Sequence, residues 1–210
     1  METTNNKKII INIGRQLGSG GLIIANMLAK EFGCKLYDKE LLNLAAKESG
    51  FNEKLFEQTD EKKGFFRSFF HLHAPFVGDN NFYSNKLSQE SLFQFQSDAI
   101  RKAAEAQNCV FVGRCADYVL RDFDNTVSIF ITADYDQRIN RICNRYNCSI
   151  KDAEKIIRVK EGARSSYYDY YTGKEWGHSA SYDLCINSSI LGMEGTRDFI
   201  KAFVKQKLKL

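Results

Sequence analysis

A chain of 210 residues, 43% hydrophobic and 27% charged, has the composition of one globular domain that can bury a substantial core without disulfides. Its net charge of +4 is too small to indicate nucleic-acid binding by itself, and six scattered cysteines with no C-x-x-C spacing read as reduced packing residues rather than a metal site. No apolar run approaches the ~18 residues of a membrane span, and the polar stretch from Met1 to Lys8 lacks a signal-peptide pattern, so a cytoplasmic protein with no membrane partner is expected.

The first predicted element, Ile9 to Ile13, is β-branched and almost wholly apolar, which suits a central parallel strand covered on both faces. Gly14-Arg15-Gln16-Leu17-Gly18-Ser19-Gly20-Gly21 follows as a glycine-rich turn and opens an amphipathic helix, Leu22 to Phe32. Glycines let backbone N–H groups converge, and the positive end of a helix dipole stands behind them, so this is where a phosphate would be held. The G-x-x-x-x-G-K-[ST] pattern is incomplete, however: Gly21 stands at the lysine position, and Leu22 and Ile23 follow it. The plain structural alternative is a tight strand-to-helix turn.

Lys35 to Tyr37 reads as a second strand. Asp38 after it either caps a helix running to Gly50 or faces the ligand crevice of an open α/β sheet. Phe65, Phe66, Phe69 and Phe70 share one helical face, followed by His71, His73 and Pro75; a packing face against a second subunit suits this pattern better than a metal or nucleic-acid site. A long helix from Tyr83 to Gln107 is expected to bury Leu87, Leu92, Phe93, Phe95, Ala99, Ile100 and Ala103. Cys109 to Val112 is a third strand, and Arg114 directly after its carboxyl end is placed to grip an anion. A fourth strand, Val127 to Ile131, leads to a helix from Asp134 to Tyr146 whose Arg138, Arg141 and Arg145 form a row that ordinarily faces solvent. Ser149 to Asp152 has the form of a capping box for a helix reaching about Tyr171, with Arg158, Lys160, Arg164 and four tyrosines along it. A mobile-looking stretch, Thr172 to His178, a fifth strand, Tyr182 to Asn187, and a last helix, Met193 to Lys207, complete the chain. Strands alternating with helices imply a three-layer α/β fold.

The succession G-R-Q-L-G-S-G-G, Y-D-K-E-L-L, V-G-R-C-A-D-Y-V-L, I-F-I-T-A, A-R-S-S-Y-Y-D-Y-Y-T-G-K-E-W-G and Y-D-L-C-I-N-S-S, spread from Ile9 to about Ile200, resembles the cytidylate kinase-like family of P-loop nucleoside monophosphate kinases. The resemblance implies a single P-loop kinase-like domain with a parallel five-stranded sheet. Its core would comprise 8–38, 108–148 and 179–210, with an inserted helical acceptor-binding region at about 39–107 and a helical lid at about 149–178. It also implies transfer of the γ-phosphoryl group of ATP, with Mg²⁺, to a nucleoside monophosphate such as CMP or dCMP.

By position, Gly14 to Gly21 would cradle the phosphates, and Asp38, Arg114 and Asp117 would bind the acceptor. Arg138, Lys160 and Arg164 would neutralise the transferring group. Relative to cytidylate kinases, the loop lysine and the Mg²⁺-binding hydroxyl are missing, and the acidic lid pattern survives at Glu161. Arg15, the only base in the loop, is expected to supply the missing charge, and no resident metal ligand is expected. A nucleotide-binding regulatory protein that keeps the fold without turnover is the alternative; a nucleic-acid binder is weaker still. The partners expected are therefore nucleotides, with a homo-oligomer as an option.

Overall fold

The structure is a computed structural model that describes residues 8–39, 42 and 81–210. Five strands, β1 (Ile10–Arg15), β2 (Lys35–Tyr37), β3 (Cys109–Val112), β4 (Thr126–Thr132) and β5 (Leu184–Asn187), form one parallel sheet in the order β2-β3-β1-β4-β5. Parallel neighbours need crossovers, which carry α1 (Gly21–Glu31), α2 (Asn81–Ala106), α3 (Ala116–Val119), α4 (Tyr135–Tyr146) and α5 (Ile150–Thr172), and α6 (Ser188–Leu208) follows the last strand. The chain winds from β1 outward to β2, returns to β3 beside β1, then crosses to β4 on the other edge of β1. The winding reverses at β1, and in open α/β sheets the crevice at the carboxyl ends of such strands holds the ligand.

The near-continuous apolar strands follow from burial on both faces. On one face Ile11, Ile13, Val110, Val112, Ile129 and Ile131 pack with Ile24 and Leu28 of α1 and with Ile200 and Val204 of α6. On the other, Ile10, Tyr37, Cys109 and Phe111 pack with Ile100 and Ala104 of α2 and with Val119 of α3. A third cluster, Leu17 with Ile139, Ile142, Ala153 and Ile157, seats the glycine loop on α4 and α5.

Several boundaries differ from expectation. β1 continues past Ile13 to Arg15, because Gly14 and Arg15 find partners in Phe130 and Ile131 of β4. β5 begins at Leu184, since Tyr182 leaves the 3₁₀ turn Ser179–Ser181 with its ring tilted against Phe130 at 5.0 Å. α6 starts at Ser188, but Gly192 (φ 67°, ψ −178°) interrupts it, so the regular helix runs from 193. Along α2, Leu92, Phe93 and Phe95 are only half-buried while Gln96 and Ser97 are buried. Gln96 Oε1 accepts from Tyr167 Oη at 3.2 Å, and Ser97 Oγ donates to the Phe93 carbonyl at 2.7 Å, so the polar groups are satisfied within the helix packing.

The Ser149 half of the expected capping box is present: Ser149 Oγ accepts from the Asp152 N–H at 3.2 Å and also donates to Asp152 Oδ2 at 2.6 Å. The Thr172 to His178 stretch is tied down, with the Trp176 N–H on Asp169 Oδ1 at 2.8 Å and its ring edge-on to Phe130 at 5.2 Å. Most of the expected helix after Asp38, the Phe65–Phe70 face, His71, His73, Pro75 and the Leu87 side chain lie outside the described residues. Among the described residues no helix is long and apolar enough to cross a membrane.

Candidate functional site

The glycine loop between β1 and α1 is shaped by two left-handed residues, Gly18 (φ 80°) and Gly20 (φ 77°). A Cβ on Gly18 would also stand 2.8 Å from the Arg138 carbonyl oxygen, so this position needs glycine for both conformation and space. Ser19 is fully buried. Its hydroxyl donates to the Gln16 carbonyl at 2.9 Å and accepts from the Gly21 N–H at 3.3 Å, while its carbonyl accepts from Ser188 Oγ at 2.7 Å. The hydroxyl is therefore committed to holding the turn.

Arginines of α4 and α5 fix carbonyls of the loop. Arg138 Nε donates to Leu17 O at 3.1 Å, Arg141 Nη1 to Gly18 O at 2.9 Å, and Arg164 Nη1 to Arg15 O at 3.0 Å. Glu161 completes the clamp: both its oxygens take Arg138 Nη2 at 3.0 Å, and Oε1 also accepts the Leu17 N–H at 2.8 Å. At the N-terminus of α1 the Gly21 amide is taken by Ser19 Oγ at 3.3 Å, while Gly20 makes no side-chain cap bond and the first turn holds no acidic residue. With no carboxylate to offset it, the helix dipole gives that end a positive potential.

Arg15 leaves the end of β1 and lays its guanidinium against Gly113, where a Cβ would be 2.3 Å from Nη1. Burial, then Arg164 and Arg114, push the Arg15 guanidinium down to about 9, with Asp38 opposing. Burial also lowers Arg164, against Glu161, with Arg114 adding to the lowering. Gly113, Arg114 and Cys115 are all left-handed (φ 78°, 59° and 55°). For the two non-glycine residues this conformation costs roughly 1–2 kcal/mol each. Amides of Tyr118 and Val119 hold the turn by bonding the Cys115 carbonyl at 3.0 and 2.9 Å. The result turns Arg114 back over the Tyr167 ring, 5.0 Å from its centroid.

The sequence-predicted residues thus divide into groups. Arg15, Arg114, Arg164 and Asp38 are electrostatic neighbours around the carboxyl ends of β1, β2 and β3. Arg138, 4% exposed, is sealed beside Leu17 by Glu161. The row expected to face solvent is accordingly divided: Arg138 and Arg141 hold the loop, and Arg145 alone is exposed. Lys160 Nζ lies at 2.8 Å from Tyr146 Oη, which it holds below the ordinary phenol value. Asp117 accepts from Tyr168 Oη at 2.7 Å; burial raises its carboxyl, against that hydrogen bond.

Sequence placed Arg141 only in a row ordinarily facing solvent and Tyr167 and Tyr168 only in a basic and aromatic stretch; the structure puts Arg141 on Gly18 O, Tyr168 on Asp117 and Tyr167 against Arg114. The i, i+3 spacing of Arg138 and Arg141 was a signal that both face one surface, which α4 turns toward the loop. The loop fits a phosphate better than a resident metal. Ser19 is fully buried with its hydroxyl held between the Gln16 carbonyl and the Gly21 amide, and among the described residues no group of three or more His, Cys, Asp or Glu side chains converges.

Residues 10–190 match the cytidylate kinase-like family. The cytidylate kinase of Pyrococcus horikoshii is 23% identical across 94% of this chain and 88% of its own length, and that of Methanopyrus kandleri is 22% identical across 96% and 95%. Among solved structures, an uncharacterized protein from Eubacterium ventriosum superposes with a TM-score of 0.73 at 28% identity, covering 94% of this chain and 99% of that one. A shikimate kinase from Bacteroides thetaiotaomicron, with a TM-score of 0.52 at 12% identity over 94% and 98%, shares the fold.

Proposed function

The chain belongs to the cytidylate kinase-like family, and from that premise we propose that it is a nucleotide kinase transferring the γ-phosphoryl group of ATP to CMP or dCMP. One observation carries the reading: Arg15, Arg114 and Arg164 are electrostatic neighbours at the carboxyl ends of β1 and β3, beside a helix N-terminus with no acidic residue in its first turn. In phosphoryl transfer an acceptor phosphate oxygen attacks the γ-phosphorus while the β–γ bridging bond breaks, releasing ADP. The protein's task is to align the two anions and offset their charge. The donor triphosphate is assigned to the loop and the α1 amides, and the acceptor phosphate to Arg114 and the crevice at Asp38. Mg²⁺ would come with ATP as part of the donor and would offset charge on its phosphates.

The names of the curated relatives supply the choice of CMP or dCMP. The test is thermal stability of the purified protein with nucleoside mono-, di- and triphosphates, with and without Mg²⁺, followed by ADP release from ATP with each stabilising monophosphate. Stabilisation by ATP and a cytidine monophosphate together with ADP release is the expected result. Stabilisation without turnover would refute the kinase reading and favour a nucleotide-binding regulatory protein that keeps the fold.

A further inference from the structure

Gly21 occupies the position of the missing loop lysine. Its backbone has no positive φ, so its conformation does not demand glycine. Its space does: a Cβ there would lie 2.6 Å from Arg15 Cβ and 3.0 Å from Arg15 Cγ. These atoms are at the root of the arginine, so no change of rotamer at its tip clears them. At the far end of the same side chain, Gly113 is the second residue that could not carry a Cβ without displacing Arg15. Two glycines on different elements thus border one arginine along its length.

Like charge gathers around it. Arg15 has Arg164 and Arg114 as neighbours that lower its pKa, with Asp38 the opposing carboxylate, and Arg164 in turn faces Glu161. Like charges held this close in a partly buried crevice repel one another, and a bound polyanion relieves the repulsion. A guanidinium also spans two oxygens of a phosphoryl group at once, which an ammonium does not.

Building on the kinase reading, we propose that Arg15 is the cation that contacts the transferred phosphoryl group, replacing the loop lysine, and that Gly21 lacks a side chain because Arg15 fills its place. The charge enters from the strand end of the loop instead of the helix end. Lying against Gly113, it stands on the flank where Arg114 emerges, so it serves the donor and the acceptor together.

The test exchanges the two positions. Four proteins are compared with the wild type: Arg15→Gln, which keeps the stem; Arg15→Gly, which also removes the Cβ; Gly21→Lys; and the exchange Arg15→Gly/Gly21→Lys. Tripolyphosphate affinity is read by calorimetry, stability by melting, and turnover by ADP release with CMP. Both single Arg15 variants are expected to weaken tripolyphosphate about tenfold or more, with Arg15→Gln keeping the melting temperature. Gly21→Lys alone is expected to melt lower, and the exchange to recover both stability and affinity in a non-additive way.

Unchanged tripolyphosphate affinity in Arg15→Gln, or strict additivity in the exchange, would overturn the proposal, as would a wild type that binds no tripolyphosphate. Turnover of CMP that is indifferent to Arg15 would refute this role and leave the kinase reading standing. Arg15-dependent tripolyphosphate binding without turnover on any monophosphate would support the anion seat and refute the kinase reading instead.

Discussion

Replacing Arg138 with Met takes away the positive half of an ion pair that is nearly out of water, the two side chains being 5% and 18% exposed. Glu161 would lose two 3.0 Å contacts and keep only the Leu17 N–H at 2.8 Å, while Leu17 O would lose its 3.1 Å donor. Removing one partner of a buried pair costs about 3–5 kcal/mol. The surviving amide contact to Glu161 puts the expected value near the lower end, about 3 kcal/mol. For a domain of this size that lowers the melting temperature by roughly 6–12 °C.

Urea unfolding followed by fluorescence suits the measurement, because Trp176 is the only tryptophan in the chain and packs edge-on to Phe130. Glu161→Gln in the same background removes the stranded charge and should return part of the loss, which a double-mutant cycle reads as coupling. A cost below about 1 kcal/mol for Arg138→Met, the range of an exposed pair, would refute the clamp. A fall in turnover with unchanged stability would assign Arg138 to the reacting phosphoryl group instead.

Other expected outcomes follow from the same contacts. Burial holds the Asp117 carboxyl above its ordinary value of 3.8 in the folded protein. The folded state therefore binds that proton more tightly than the unfolded chain, and this contribution to stability is full below 3.8 and lost as pH rises through the raised folded value. Asp117→Asn should flatten that part of the melting temperature against pH; an unchanged profile would contradict it. Gly14→Ala would place a Cβ 2.7 Å from Phe130 Cδ2 and 3.1 Å from Tyr182 Cε1. Such overpacking typically costs about 1–3 kcal/mol, measurable in the same urea titration. Ser149→Ala removes the acceptor for the Asp152 amide at the start of α5, a loss of about 1 kcal/mol.

Hydrophobic periodicity and turn chemistry were enough to read the layered α/β fold, because a strand buried on both faces must be apolar along its length and a left-handed loop must carry glycine. Cys109 to Val112, the helix cap at Ser149 and the glycine loop were legible from such local chemistry. Local pattern also placed Arg114 at a crevice, whereas Arg164 was brought to the phosphates only by the family resemblance.

It could not say which cations would meet there, since that depends on how distant segments dock. Arg138 looks like any solvent-facing helical arginine until α5 brings Glu161 across it. Gly21 looks like a lost lysine until β1 is seen to run on to Arg15, whose stem fills the space, with Gly113 arriving from β3 to make room for its tip. One-dimensional spacing records which face a residue shares with its near neighbours. Volume exclusion and charge pairing between strands and helices far apart in the chain are set only when the sheet assembles, and that is what placed Arg15 between Gly21 and Gly113 and Arg138 against Glu161.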